Sequence, residues 1–196
     1  RLMPFLKGVK IVVVDDILEV PADRRERFRG AAGMYYEVGN ERVIYLSSDG
    51  GINNTVFLHE ALHGATLMRI KNYLKAKKAG IKVDPSLQEA VDELIDLMHR
   101  AKGFYAALSL AQERGVITDP AQIRLIKNAG VFANSDAFDD PAEFVAYGMT
   151  HPTLQEFLRV VPGKVYGEKT TVVRIKDGLT QFVQSIRKMF GMGEGY

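Results

Sequence analysis

The chain contains no cysteine among its 196 residues. This absence excludes disulfide bonds, thiolate metal ligands and a cysteine nucleophile, and it is typical of a reducing compartment. Long apolar runs are also missing, because the longest one near the start, residues 9–14, is interrupted by Lys10 and is far too short to span a bilayer. No secretory signal is visible. We therefore expect no membrane span.

Charge of one sign is also scarce, since the formal net charge is only +2. Such a balance implies no strong attraction to nucleic acid or to a membrane surface, so we expect no nucleic-acid partner. Apolar residues make up 46% and charged residues 26% of the chain, which is ordinary for a globular protein. The length predicts one domain over residues 1–196. The start at Arg1 rather than at methionine is expected of a fragment or of a piece processed from a longer chain.

The stretch from Thr55 to Ala65 reads TVFLHEALHGA, and His59, Glu60 and His63 form the pattern His-Glu-x-x-His within it. Positions four apart lie on one face of a helix, so the two imidazoles would point at one spot. Two neutral imidazoles suit Zn²⁺, which prefers tetrahedral sites with nitrogen ligands. Glu60 would lie beside the metal, where a carboxylate accepts a proton from water whose pKa zinc lowers to about 7. This pattern indicates hydrolysis of an amide bond.

The flanks of this motif are apolar, and no charge other than Glu60 lies between Thr55 and Thr66. A surface helix normally carries charges along one face. The segment is therefore predicted to be buried around a polar site. The alternative is a pair of core histidines with a chance glutamate between them.

The rest of the chain is predicted to surround this helix. Runs rich in β-branched and aromatic residues at 10–14, 34–38 and 42–47 predict three strands, the last two joined at Gly39 and Asn40. The predicted parts of the domain are a β-rich part at residues 1–52, an active-site helix at 53–80, a helical insertion at 85–130, third-ligand helices at 139–160 and, after a β-like start, an amphipathic C-terminal helix at 170–190.

Two charged stretches are predicted to be solvated faces. They are the basic run of Arg24, Arg25, Arg27 and Arg29, and the acidic stripe of Glu89, Asp92, Glu93 and Asp96. The alternative for the basic run is a phosphate contact or a cleavage site, and the alternative for the acidic stripe is a metal site.

A catalytic zinc site usually has three protein ligands, so His59 and His63 require a third. The extended motif with a third histidine needs glycine at position 66 and histidine at position 69, where the chain has Thr66 and Arg69. A carboxylate is therefore expected, and Glu143 is the first candidate.

Glu143 also has a structural interpretation. Asp140 and Glu143 are three residues apart and match a capping box, in which the glutamate folds back onto the start of its helix. The reserve ligands are Asp136, Asp139 and Asp140.

The motif at residues 59–66 and the segment DPAEFVA at residues 140–146 together resemble the zincin metallopeptidases of the gluzincin-like branch, whose third ligand is a glutamate. With residues 150–158, the second segment is similar to metallopeptidase domains embedded in large polyvalent proteins of phages and mobile elements.

The resemblance implies a mainly helical α+β domain with a small mixed β-sheet packed on the motif helix. It implies that His59, His63 and Glu143 hold zinc and that Glu60 is the general base. A peptide substrate would lie along the edge strand of the sheet, taken to be residues 42–47.

Tyr147 stands where relatives often have an acidic residue that orients a ligand histidine. Its hydroxyl would do the same or would bind the oxyanion of the tetrahedral intermediate, and the alternative is plain core packing. His151, further along, is expected at the surface.

The function implied is that of a zinc-dependent endopeptidase (a hydrolase), in a phage-encoded domain that is part of, or cleaved from, a larger polypeptide. Its partner is a protein or peptide substrate, and its location is cytoplasmic or virion-associated. Two alternatives remain open: a catalytically silent zincin module with a structural or partner-binding role in a virion, and a metal-free helical adaptor that uses the basic run and the acidic stripe as contact surfaces.

Overall fold

The computed structural model describes residues 6–50, 52–163, 165–166, 173–174 and 177–192. Its elements confirm the α+β class, with mostly helical residues and a small mixed sheet. Contacts within the chain group it into two compact units, Arg1–Arg69 and Ile70–Tyr196. The division falls inside a helix, and each unit is described separately below.

The first unit contains the sheet. Its elements are β1 (Lys10–Val14), α1 (Ala22–Phe28), β2 (Gly33–Val38), β3 (Glu41–Ser47) and the N-terminal part of α2 (Asn54–Lys78). β2 and β3 form the predicted hairpin, and Gly39 in its turn has a φ of +61°, which a residue with a side chain rarely adopts.

The strand order is β1-β3-β2, with β1 parallel and β2 antiparallel to β3. The prediction that residues 42–47 form the edge strand is therefore wrong, because β3 is central. Four consecutive side chains of β3 are buried, which is typical of a strand covered on both faces: Val43, Ile44, Tyr45 and Leu46. Among the described strands, β2 pairs with β3 alone and so has the free edge nearest the motif helix.

Each face of this sheet has its own apolar cluster. On one face Val14, Met34 and Tyr45 pack with Phe28 of α1. On the other face Tyr35, Ile44 and Leu46 pack against Ala61 of α2. The predicted packing of the sheet on the motif helix is thus confirmed.

The basic run is not a solvated face throughout. Arg24 is buried, and its guanidinium donates hydrogen bonds to the Glu41 carboxylate at 2.6 and 3.1 Å and to the Tyr45 hydroxyl at 2.8 Å. The hydrogen bond from Arg24 is the main reason that the pKa of Glu41 lies below its ordinary value. Arg25 donates to the carbonyl oxygens of Val20 and Leu18. These two arginines stabilise the first unit from within.

Helix α2 begins after Asn53, whose side-chain oxygen accepts a hydrogen bond from the N–H of Val56 at 2.9 Å. Residues 60–66 are all buried, as predicted. The first turn departs from the prediction, because Phe57 and Leu58 are exposed to about a third of their surface. The helix ends before Gly80, which has a φ of +67°.

The second unit is helical. Its elements after α2 are α3 (Pro85–Glu113), α4 (Pro120–Ala133), α5 (Pro141–Thr150), α6 (Pro152–Val160), the short strands β4 (Val165–Tyr166) and β5 (Val173–Arg174), and α7 (Gly178–Met189). The predicted amphipathic C-terminal helix is α7, whereas residues 170–172 of the predicted β-like start lie outside the described residues. α4 extends beyond residue 130, where the predicted helical insertion was expected to end, because Ala129 and Phe132 continue its buried face. Among the described residues, no helix has the length and apolar character required to cross a membrane.

The acidic stripe is a solvated face only in part, because the side chains of Glu89, Asp92 and Asp96 are more than a third exposed whereas that of Glu93 is 14% exposed. Asp92 accepts hydrogen bonds from Tyr73 at 2.6 Å and from Lys77 at 2.7 Å. Glu93 accepts from the buried Ser185 hydroxyl at 3.0 Å, and Lys188 of α7 donates to Glu89 at 2.9 Å. The stripe is therefore the surface on which α7 and the end of α2 pack.

Candidate metal centre

The two histidines of the motif point their rings at one place. Nε2 of His59 and Nε2 of His63 lie 3.1 Å apart, and the rings are steeply inclined, with centroids 4.8 Å apart. His63 is buried and His59 is half-buried. This is the arrangement expected of residues four apart on one helix face.

Glu143 joins these histidines. Among the described residues, one group of three has the side chains of a metal site: His59, His63 and Glu143, whose possible ligand atoms all lie within 4.8 Å of one another. Glu143 lies in the first turn of α5, which is held in place by its buried neighbours Ala142, Phe144 and Val145.

The capping-box interpretation of Glu143 finds no support in the backbone. Asp140 is the N-cap of α5, and its carboxylate accepts from the N–H of Ala142 at 2.7 Å. In a capping box Glu143 would accept from the N–H of Asp140. That N–H donates to the carbonyl oxygen of Asp136 at 2.8 Å, so it has a partner without the Glu143 carboxylate.

Two of the reserve ligands have other roles. Asp140 caps α5, and the carboxylate of Asp139 pairs with the ammonium group of Lys102. Neither belongs to the group of three, and Asp136 does not belong to it either.

Glu60 lies on the same helix but outside this group. It is buried to all but 8% of its surface, and its Oε2 accepts a hydrogen bond of 2.6 Å from the backbone N–H of Tyr35 on β2. A buried carboxylate needs such a donor. Glu60 thus neighbours His59 in the sequence but is not one of the possible ligands, and its role as general base stays a prediction.

Tyr147 and His151 lie one and two turns beyond Glu143. The Tyr147 ring packs against Phe132, with centroids 5.6 Å apart, and against His151, with centroids 5.1 Å apart. Both residues are half-buried, so His151 is partly exposed. They line a cavity of about 510 Å³ together with Asn128 and Ser135. A catalytic role of Tyr147 stays a prediction.

The sequence reasoning missed Gly33 and Tyr35. A Cβ built on Gly33 would lie 2.9 Å from Cγ of Glu60, so the strand and the helix approach closely here. The sequence feature that could have identified these residues is a glycine within a strand, which often marks the close approach of another part of the molecule.

The donor set fits zinc. Two imidazole nitrogens and a carboxylate oxygen are three ligands that Zn²⁺ accepts in catalytic sites. Nitrogens about 2.0–2.1 Å from a tetrahedral zinc lie about 3.3–3.4 Å apart, close to the separation of 3.1 Å between His59 and His63.

Comparison of the chain with protein-family models, with curated proteins and with solved structures finds no match. Any assignment of function therefore depends on the residues and geometry described above.

Proposed function

We propose that the protein is a zinc-dependent endopeptidase. The observation that carries this proposal is the grouping of His59, His63 and Glu143, with possible ligand atoms within 4.8 Å of one another. Residues 63 and 143 are far apart in the sequence, so the helix that holds the two histidines does not by itself supply the carboxylate.

His59, His63 and Glu143 would hold the metal. Zinc at such a site acts as a Lewis acid and lowers the pKa of water to about 7. Glu60 lies next to these ligands, where its carboxylate accepts a proton from the attacking water and passes it to the leaving amine. The bond broken is the amide bond of a peptide, and the products are a carboxylate and an amine.

The substrate is expected to lie along β2 rather than along β3. β2 has no second partner among the described strands, and at this edge only the N–H of Tyr35 is known to be bound, to Glu60, so the peptide would pair with other backbone groups of the edge. An extended peptide adds to such an edge through backbone hydrogen bonds. A peptide along β2 would lie beside Glu60, the proposed general base.

The two alternatives have less support. A silent structural module does not require a buried carboxylate beside its metal ligands, whereas Glu60 is present and buried. The metal-free adaptor loses part of its proposed contact surfaces, because Arg24, Asp92 and Glu93 are engaged within their own units. The phage setting, the virion association and the larger parent polypeptide depend on the resemblance of two short segments alone.

The experiment that tests this proposal is a peptidase assay on an unfolded protein substrate such as casein, with zinc present. We expect wild-type cleavage to be abolished by a chelator and restored by zinc. Glu60→Gln should keep the metal but lose about 10²-fold or more in kcat, as is usual for a general base. Glu156→Gln is the matched control, because Glu156 is an exposed glutamate outside the ligand group. Wild-type protein that carries zinc but leaves the substrate intact would favour the silent module.

A further inference from the structure

The contact between Glu60 and β2 follows from the hydrogen-bond pattern of the hairpin. The N–H of Ser47 donates to the carbonyl oxygen of Ala32 at 2.9 Å, and backbone groups alternate in direction along an antiparallel pair. Met34 therefore faces β3, while Gly33 and Tyr35 direct their backbone groups to the free edge. The N–H of Tyr35 donates from that edge to Oε2 of Glu60 at 2.6 Å.

Gly33 provides the space for this carboxylate. A Cβ at position 33 would lie 2.7 Å from Cγ1 of Val56, 2.9 Å from Cγ of Glu60 and 3.2 Å from Oε1 of Glu60. Gly33 is not among the glycines with positive φ, so its backbone conformation suits any residue. Glycine is needed at this position because it leaves space for the side chain of Glu60, and not because of its backbone conformation.

Tyr35 is itself held in place. Its ring is buried, and its hydroxyl accepts from Nε of Arg42 at 3.2 Å and donates to Glu37 at 3.0 Å. Burial raises the pKa of this phenol, which keeps the donating proton in place. Arg42, which lies on β3, also donates to the carbonyl oxygen of Gly64 at 3.2 Å, one turn beyond Glu60. This hydrogen bond connects β3 to helix α2.

We propose that β2 positions the general base: the N–H of Tyr35 binds Oε2 of Glu60, and Gly33 is a positioning residue that leaves space for this side chain. This inference rests on the proposed peptidase function. It explains why a glycine stands within a strand.

The first test measures amide hydrogen exchange of Tyr35 by NMR. In wild type this amide should be protected although it lies at a free edge. Glu60→Ala should speed its exchange by about 10-fold or more, since a hydrogen bond to a charged group is lost. The amide of Met34 is an internal control, because it faces β3 and its exchange should change little. Unchanged exchange of Tyr35 in Glu60→Ala would overturn the inference.

The second test uses Gly33→Ala, with Gly50→Ala as the matched control. Gly50 also lies in the first unit, has no positive φ, and has no atom within 4 Å of a built Cβ. Gly33→Ala should speed the exchange of Tyr35 and keep about one zinc per chain. Its kcat should fall roughly 10- to 100-fold, with KM changed about twofold or less, since small misplacements of a catalytic group are costly. Gly50→Ala should match wild type.

A double variant covers the case in which Gly33→Ala fails to fold. Gly33→Ala with Val56→Ala removes the shortest contact and leaves the contact with Glu60. This variant should fold and still lose kcat. Wild-type kcat in either variant that folds would overturn the role of Gly33. A wild type without peptidase activity would overturn the proposed function, and the base role with it, whereas the exchange of Tyr35 tests the contact separately.

Discussion

Gly148 in α5 should not tolerate alanine, although alanine is the better helix former. A Cβ on Gly148 would lie 2.4 Å from Cζ of Phe182 and 2.8 Å from its Cε2. Phe182 on α7 is fully buried and packs edge-on against Phe144, with ring centroids 5.5 Å apart. A shift of the ring would therefore disturb this packing.

Two opposing contributions to the free energy of unfolding set the size of this effect. Replacing glycine by alanine within a helix stabilises by about 0.5–1 kcal/mol. Overpacking of a dense core by one methyl group costs about 1–3 kcal/mol. A Cβ at position 148 would lie far inside van der Waals distance of Phe182, so the second contribution should win, by up to about 2.5 kcal/mol. For a chain of this size the melting temperature should fall by up to about 10 °C.

Thermal unfolding followed by circular dichroism measures this effect. Gly103→Ala in α3 is the control, because Gly103 is also within a helix but has no atom within 4 Å of a built Cβ. This variant should raise the melting temperature by roughly 1–4 °C. Phe182→Leu should recover part of the loss in the Gly148→Ala background. The reasoning is refuted if Gly148→Ala stabilises the protein as much as Gly103→Ala does.

Two other substitutions test packing and charge. Gly64→Ala should destabilise by about 1 kcal/mol or less in urea unfolding, because its Cβ would lie 3.0 Å from the Tyr35 ring; a stabilised variant would contradict this. Burial opposes ionisation of Asp92, but hydrogen bonds from Lys77 and Tyr73 hold the pKa of its carboxyl below the ordinary value. A carboxyl group whose pKa is lower in the folded than in the unfolded protein stabilises the fold at pH values above its unfolded pKa. This stabilisation is lost as the pH falls through the folded pKa. The stability advantage of wild type over Asp92→Asn, about 1 kcal/mol or less at pH 7, should therefore shrink below about pH 4, and an advantage independent of pH would contradict it.

Local patterns in the sequence were sufficient to predict most elements. The spacing of His59 and His63 placed both rings on one face of a helix, and the cap at Asn53 and the glycine at position 80 mark its ends. The hairpin followed from Gly39 in the same way. These features depend on neighbouring residues, which a sequence displays directly.

The pairing of distant segments could not be predicted in this way. The central position of β3 depends on its pairing with β1, and the acidic stripe is partly covered because α7 packs against it. The burial of Arg24 depends on Glu41, 17 residues away. Each of these residues could lie in solvent or against a partner. Which of the two occurs depends on how the fold brings distant segments together, and this is not visible in the local sequence.

The most direct test of the proposed function is the zinc content of the purified protein after dialysis, measured by elemental analysis. Wild type should bind about one zinc per chain, and both His63→Ala and Glu143→Ala should lose it or bind it far more weakly. The control His99→Ala should match wild type, because His99 is exposed and lies outside the ligand group. Zinc retained by Glu143→Ala would contradict the assignment of the third ligand. A wild type that cannot be loaded with zinc would contradict the metallopeptidase proposal.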